Sequence, residues 1–323
     1  MASPADLPAA PHPPSVSNGE AGDMSDAHSS GAPKPRVLTS EEAAVYDRQI
    51  RLWGLEAQQR LSAARLLLVG TLPSHLGAEL AKNLVLAGIA RLTLCPFPSS
   101  AASTPSFLGA TPDAFVAALS EMNPHVAVEV LPPSPTTPAL AGYAAVCALE
   151  LGARYEAVLA DTARAAGVPF FSGRTAGLYG GLFIDAGDWT CAGGGAPPPA
   201  AQVPAEGGGA EVPPTAPATI TTSFPTHAAA RGVKASESVV GWGVMAALGE
   251  LADASAGSDA HGASGGGNDA AASPAKDAPL AACLGGIWGR EVIKVASGVG
   301  VPLRNFFWFD GRTGAGVVEV VGM

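Results

Sequence analysis

Short apolar runs alternate with amphipathic stretches over most of the chain, which is the pattern of an α/β protein. Residues 65–70 are apolar after the first position and end in glycine, as a buried parallel strand does, and residues 91–94 are a second run of this kind. Between them, Leu80 and Leu84 lie one helical turn apart within residues 77–88. Together these segments predict a βαβ unit of roughly 30 residues.

The same alternation continues to the end of the chain and predicts a doubly wound, mostly parallel sheet with helices on both faces. After a final long helix, two strands around a glycine-rich turn predict a C-terminal β-hairpin. The further predicted helices are residues 113–122, 153–166, 237–252 and 278–297, and the further predicted strands are residues 126–130, 143–149, 168–171, 177–185, 305–310 and 317–321.

Domain organisation follows from shifts in composition. Residues 1–36 are rich in Pro, Ser and Ala and predict a disordered N-terminal tail, whereas residues 37–323 predict one folded domain. The folded part begins at a capping box, since Thr39 is followed three residues later by Glu42. Two low-complexity stretches inside the domain predict flexible insertions, namely residues 192–218 and 255–277.

The first helix carries a single apolar stripe, because Tyr46, Ile50 and Trp53 recur at helical spacing. Arg48 and Arg51 lie away from this stripe, free to face solvent or a partner. The stripe alone favours an ordinary solvated surface residue at position 48.

Composition excludes several function classes. The 323 residues include 40 Gly and 29 Pro and are 47% hydrophobic, so a sizeable core can form. The net charge is −10, with no Lys/Arg cluster, so nucleic acid is not an expected partner. No membrane association is expected either, because the best uncharged helical candidate, residues 278–289, stops at Arg290 and is shorter than the roughly 20 residues that a spanning helix needs.

Metal and thiol chemistry are not expected. The four cysteines are not within metal-ligand spacing of one another, and the six scattered histidines do not complete a site. Cys147 and Cys283 fall inside a predicted strand and helix, where a buried, unreactive thiol is usual. Cys95 and Cys191 fall at predicted loop edges without a neighbouring basic group.

The loop after the first strand departs from the phosphate-binding pattern G-x-G-x-x-G, in which glycines let phosphates approach a helix N-terminus. Residues 70–77 keep glycine only at their two ends, and Pro73 has no N–H to offer. Leu72 and His75 place side chains where phosphate oxygens would need space, and His75 is interpreted as a surface loop residue. A ribose-binding acid is also missing, since no carboxylate follows the second strand before Asp113. This chain is therefore expected to bind no nucleotide.

Several segments of the chain match known motifs: residues 46–58 (YDRQIRLWGLEAQ), 68–70, 76–88, 122–124 (MNP), 285–287, 291–294 and 305–311 (NFFWFDG). In this order they resemble the ubiquitin-like-protein activating enzymes. The C-terminal segments most resemble the smaller subunit of SUMO-activating enzymes.

The resemblance implies a ThiF-like adenylation fold in which two related halves pair and only one keeps the ATP site and the catalytic cysteine. This chain would be the half without a site, bind no cofactor itself, and leave ATP and Mg to the large catalytic subunit. By its position in the Tyr-x-Arg-Gln motif, Arg48 would be the arginine that reaches across to the partner's ATP. The implied partners are that large subunit and, through the complex, SUMO; the implied location is the nucleus.

Other functions remain open at this stage. The regulatory subunit of the neddylation activating enzyme belongs to the same family, but it is normally much longer. A self-sufficient ThiF/MoeB-like adenylyltransferase would need its own glycine loop, a ribose-binding acid and usually a zinc-binding C-x-x-C pair. A nicotinamide oxidoreductase would meet the same objections.

Overall fold

One large sheet organises the protein in the computed structural model, which describes residues 35–97, 106–132, 137–192, 219–231 and 274–322. The strands are β1 (Arg65–Gly70), β2 (Arg91–Pro96), β3 (Ala127–Val130), β4 (Ala145–Leu149), β5 (Phe170–Ala176), β6 (Tyr179–Asp185), β7 (Asp188–Ala192), β8 (Thr219–Ser223), β9 (Phe306–Asp310) and β10 (Ala315–Glu319). The helices are α1 (Ser40–Val45), α2 (Asp47–Trp53), α3 (Leu55–Leu61), α4 (His75–Leu86), α5 (Pro112–Met122), α6 (Ala153–Ala165), α7 (His227–Arg231) and α8 (Pro274–Ser297).

The strand order of the large sheet is β10–β9–β6–β5–β4–β1–β2–β3, and β7 and β8 form a separate antiparallel pair. Strands β1 to β5 are mutually parallel in the order 3-2-1-4-5, whereas β6, β9 and β10 are antiparallel additions at one edge. This confirms the predicted doubly wound, mostly parallel α/β fold with its C-terminal helix and β-hairpin. The strand order reverses direction between β1 and β4, and ligands of such folds bind outside the carboxyl ends of these two strands.

Both faces of the sheet are covered, as predicted, by separate apolar clusters. On one face α8 packs closely on α4 because two glycines of α8 face it. A Cβ at Gly285 would lie 2.6 Å from the Cβ of Glu79, and one at Gly289 would lie 2.9 Å from the Cβ of Asn83. Helix α6 covers the other face, where Leu159 is fully buried.

Several boundaries differ from the sequence predictions. The first helix is two helices, α1 and α2, since the backbone leaves helical geometry at Tyr46 (φ −96°, ψ 15°). Its predicted start is confirmed, with both hydrogen bonds of the Thr39–Glu42 capping box present. Helix α8 begins at Pro274, four residues before the predicted start and inside the predicted insertion, and the hairpin closes over residues 311–314.

Four other predictions lie wholly or mostly outside the described residues: the tail up to residue 34, the insertion over residues 193–218, the helix over residues 237–252, and the second insertion over residues 255–273. No helix in the described ranges is long and apolar enough to cross a membrane.

Candidate functional site

The crevice at the carboxyl end of β1 is filled by the loop that follows this strand. Leu72 is only 8% exposed, and its Cδ2 lies 2.6 Å from the point that a Cβ on Gly77 would occupy. Ser74 caps α4, accepting a hydrogen bond from the N–H of Gly77 at 3.0 Å. The helix N-terminus that would receive a phosphate therefore binds this chain's own hydroxyl and packs against its own leucine.

An aromatic pair crosses the same crevice from its other side. Phe97 follows β2, and its N–H donates to the carbonyl of Gly70 at 2.9 Å. Its ring lies 4.1 Å from the ring of Tyr155 on α6, centroid to centroid. Because α6 follows β4, this contact spans the end of β1 at the point where a nucleotide would lie in such a fold. No carboxylate follows β2 before Asp113, so the acid that binds the ribose in such folds has no counterpart at this position.

His75 is not a loop residue, as the sequence had suggested, but the first residue of α4, where it is half-buried. The prediction was wrong because α4 begins at His75, two residues before the predicted start at Gly77, with Ser74 as its N-cap. An N-cap serine directly before an apolar periodic segment was the signal that could have placed this boundary correctly.

Arg48 lies on α2 and is exposed, and in the part of the chain that the structure describes it makes no hydrogen bond or ion pair. Arg51, one turn along, instead pairs with Asp47 at 2.9 Å. Two leucines that follow Arg48 in the chain are also exposed, Leu52 to 69% on the same helix and Leu55 to 50% at the start of α3. An unpaired, exposed guanidinium is available to a group outside this chain.

A groove of about 390 Å³ lies between α2 and α8. Leu52, Trp53 and Ile293 contribute its apolar lining, and Arg290 lines it with a side chain that is 76% exposed. Large apolar surfaces with polar rims mark contact sites on proteins. We call the exposed face of α2, together with this groove, the α2–α8 surface.

The junction before α2 is held by a buried hydrogen bond that sequence reasoning missed. Tyr46 is 1% exposed, and its hydroxyl accepts from the side-chain amide of Asn123 at 2.9 Å. The same Asn123 nitrogen donates to the carbonyl of Val85 at 2.8 Å. The Tyr46 ring lies against Gly88, where a Cβ would stand 2.6 Å from its Cε1. The motifs around residues 46, 88 and 123 thus meet in one contact.

Replacing Gly88 with alanine is expected to lower the free energy of unfolding, measured by urea denaturation, by about 2–6 kcal/mol. About 1–3 kcal/mol comes from a non-glycine residue at φ +82°, and about 1–3 kcal/mol from overpacking against Tyr46. Gly167→Ala is the matched control, since Gly167 has φ +67° but nothing within 4 Å of a Cβ. Equal losses in the two variants would show that the Tyr46 contact contributes nothing.

A second buried cluster, also missed from the sequence, joins α6, β5 and α7. Glu156 is 7% exposed, forms an ion pair with Arg174, and binds Nε2 of His227 at 2.9 Å. Burial alone would raise the pKa of Glu156, but the charge of Arg174 and the hydrogen bonds from His227 and Ser172 overcome it and hold the pKa at about 2. Arg174 also donates to the carbonyl of Leu151 at 2.8 Å, so the cluster fixes the start of α6.

The cysteines differ in part from the predictions. Cys147 is buried in β4, as expected, and burial raises the pKa of its thiol. Cys283 is exposed rather than buried, whereas Cys95 and Cys191 are buried inside β2 and β7 rather than at loop edges. Among the described residues, no three His, Cys, Asp or Glu side chains come together as a metal site.

The fold resembles a solved structure, the crystal structure of selenomethionine-labelled PaaA, with a TM-score of 0.55 over 88% of this chain and 84% of that chain. Sequence identity is 14%, so this likeness concerns the α/β fold alone. No protein-family model matches the chain.

Sequence similarity points to a particular protein, over a short stretch. The chain is 67% identical to SUMO-activating enzyme subunit 1 of Homo sapiens over 57 residues, 67% identical to that of Xenopus laevis over 58 residues, and 64% identical to that of Danio rerio over 58 residues. Each match covers 18% of this chain and 16% of the relative. The chain thus matches about a sixth of the length of these curated relatives.

Proposed function

We propose that this chain is the regulatory, non-catalytic subunit of a heterodimeric SUMO-activating enzyme. The large partner subunit would adenylate SUMO with ATP and Mg and then take it up as a thioester. This chain would contribute half of the dimer interface and Arg48, which acts in trans on the partner's ATP. The proposal also places the complex in the nucleus, which imaging of a fluorescently tagged chain would test.

One observation carries this proposal: an exposed, unpaired Arg48 coexists with a filled crevice. A guanidinium has bidentate donors that suit phosphate oxygens, and it stabilises the charge that builds on a leaving pyrophosphate. The burial of Leu72 and the Ser74 cap at the α4 N-terminus argue against a phosphate in this chain's own crevice. A partner's nucleotide is the recipient that the proposal assigns to Arg48.

The α2–α8 surface supports a stable partner at the same place. Leu52 and Leu55 expose large apolar side chains beside Arg48, and the groove against α8 continues this surface. Burying such side chains against another protein is favourable by about 25 cal/mol per Å² of apolar area. An interface there would bring Arg48 to the partner without any movement of the sheet.

The filled crevice also weighs against a self-sufficient adenylyltransferase. Such an enzyme needs donors around its own phosphates, whereas here the Gly77 N–H is bound to Ser74 and Pro73 has none. The rings of Phe97, which follows β2, and Tyr155, on α6, lie 4.1 Å apart at the same end of the sheet.

Co-purification with the large SUMO-activating subunit, followed by ATP–pyrophosphate exchange with SUMO present, tests the proposal. A one-to-one complex that exchanges pyrophosphate is expected, with neither chain active alone and no heat of ATP binding to this chain in isothermal titration. Exchange or tight ATP binding by this chain alone would instead support the self-sufficient enzyme. Pairing only with the catalytic subunit of the neddylation enzyme would move the assignment to that pathway.

A further inference from the structure

We infer that Asn123 and Gln58 are positioning residues for Arg48, holding α2 at its two ends against one turn of the core, residues 85–88. This inference rests on the proposed function, since it concerns the arginine that acts in trans. Each acts through an aromatic side chain: Asn123 through Tyr46 at one end of α2, and Gln58 through Trp53 at the other.

The first anchor point is the junction between α1 and α2. The carbonyl of Tyr46 accepts the N–H of Ile50 at 2.8 Å, so this residue begins α2, and Arg48 follows two residues later. The Tyr46 hydroxyl is bound by Asn123, which also binds the carbonyl of Val85. Because the Asn123 side chain is 95% buried, with 5% exposed, water does not readily replace either bond.

The second anchor point is the end of α2. The helix stops at Gly54, whose φ of +91° turns the chain into α3. Trp53 donates its indole N–H to Oε1 of Gln58 at 2.9 Å, and the Nε2 of Gln58 donates to the carbonyl of Ala87 at 3.0 Å. Gln58 is fully buried, so both halves of its amide are used within the protein.

In the described structure, partial packing of Trp53 on the core adds to these two hydrogen-bonded contacts. None of the seven residues of α2 is buried, and a helix of this length is not stable on its own in water. The direction in which Arg48 projects therefore depends on the two anchor points, which meet on the same turn at the end of α4. A misplacement of about 1 Å at a reacting group can cost about 10²-fold in rate. Loosening either anchor would therefore reduce catalysis by the partner while leaving the fold intact.

The test measures ATP–pyrophosphate exchange by the heterodimer with Tyr46→Phe and with Gln58→Met. Tyr46→Phe keeps the ring against Gly88 and removes only the hydroxyl that Asn123 binds, and Gln58→Met keeps the side-chain volume. Tyr46→Phe removes one buried hydrogen bond and is expected to lower kcat by about 3- to 10-fold, with KM for ATP less affected. Gln58→Met removes two, to Trp53 and Ala87, and is expected to lower kcat by at least as much. In an Arg48→Ala background the further loss should be under about twofold, because the residue being positioned is gone.

Thr93→Val is the matched control, since Thr93 is fully buried in β2 and its hydroxyl donates to Glu129 at 2.7 Å, away from α2. It should lower thermal stability to a similar degree and leave kcat unchanged. Equal losses in the two backgrounds, or a kcat loss in the control as large as that in Tyr46→Phe, would overturn the positioning role. Full exchange by Arg48→Ala would instead overturn the proposed function, so the two failures are distinguishable.

Discussion

Replacing Arg48 with alanine is expected to lower ATP–pyrophosphate exchange by the heterodimer by about 10²- to 10³-fold, the range for loss of one preorganised donor to developing charge. Arg48→Lys should recover only part of this rate, because an ammonium keeps the charge but not the bidentate geometry. Complex formation should survive, since the side chain is exposed and makes no hydrogen bond within the described chain. Size-exclusion chromatography and exchange kinetics check the two expectations separately.

Arg51→Ala is the matched control for this experiment. Arg51 lies one turn along the same helix, is exposed, and pairs with Asp47, an i,i+4 pair worth only about 0.3–0.5 kcal/mol. Exchange should therefore change by less than about twofold. If the two alanine variants lose activity equally, and salt removes the difference from wild type, the arginines act by general electrostatic attraction and the specific role of Arg48 is wrong.

Replacing Glu156 with alanine is expected to lower the free energy of unfolding by about 3–5 kcal/mol, because the charge of Arg174 is then left buried without its partner. Glu56→Ala is the control, since Glu56 also pairs with an arginine, Arg60, but is exposed, and its loss should cost under about 1 kcal/mol. Urea denaturation at neutral pH compares the two variants. Similar small losses in both would mean that the buried cluster contributes no more than a surface ion pair.

The same cluster is expected to make the free energy of unfolding fall as the pH is lowered. The pKa of Glu156 is held at about 2 in the folded protein, below about 4.3 in an unfolded chain. A carboxyl pKa that is lower in the folded than in the unfolded protein stabilises the fold at pH values above the unfolded pKa. This stabilisation is lost as pH falls from about 5 towards 2. The stability difference between wild type and Glu156→Gln should therefore shrink over this range. A difference that stays constant with pH would contradict the assigned ionisation.

The sheet, and the departure of the loop after β1 from the phosphate-binding pattern, could be predicted because their sequence signals are local. Apolar runs ending in glycine mark β1, and a proline at position 73 removes a donor whatever the tertiary structure is. The exposure of Arg48 followed in the same way from helical spacing. Predictions of this kind need only the residues within one or two turns.

The remaining features depend on contacts between distant parts of the chain. Asn123 meets Tyr46 across 77 positions, and His227 meets Glu156 across 71, so no local pattern indicates either pair. Cys283 was expected to be buried because the surrounding helix is apolar, but only the face that carries Leu284 packs on the core. Helical periodicity gives the faces of a helix, whereas only tertiary structure shows which of them is covered.

The way in which the crevice is filled determines how many substitutions would be needed to open it. The obstruction has three separate sources: the Leu72 side chain, the Ser74 cap on α4, and the Phe97–Tyr155 ring pair. A change of Leu72 to glycine would still leave the Gly77 N–H bound and the rings in place. Opening the crevice to a nucleotide would therefore take substitutions on several different elements at once. No single substitution in the loop after β1 is enough to open it.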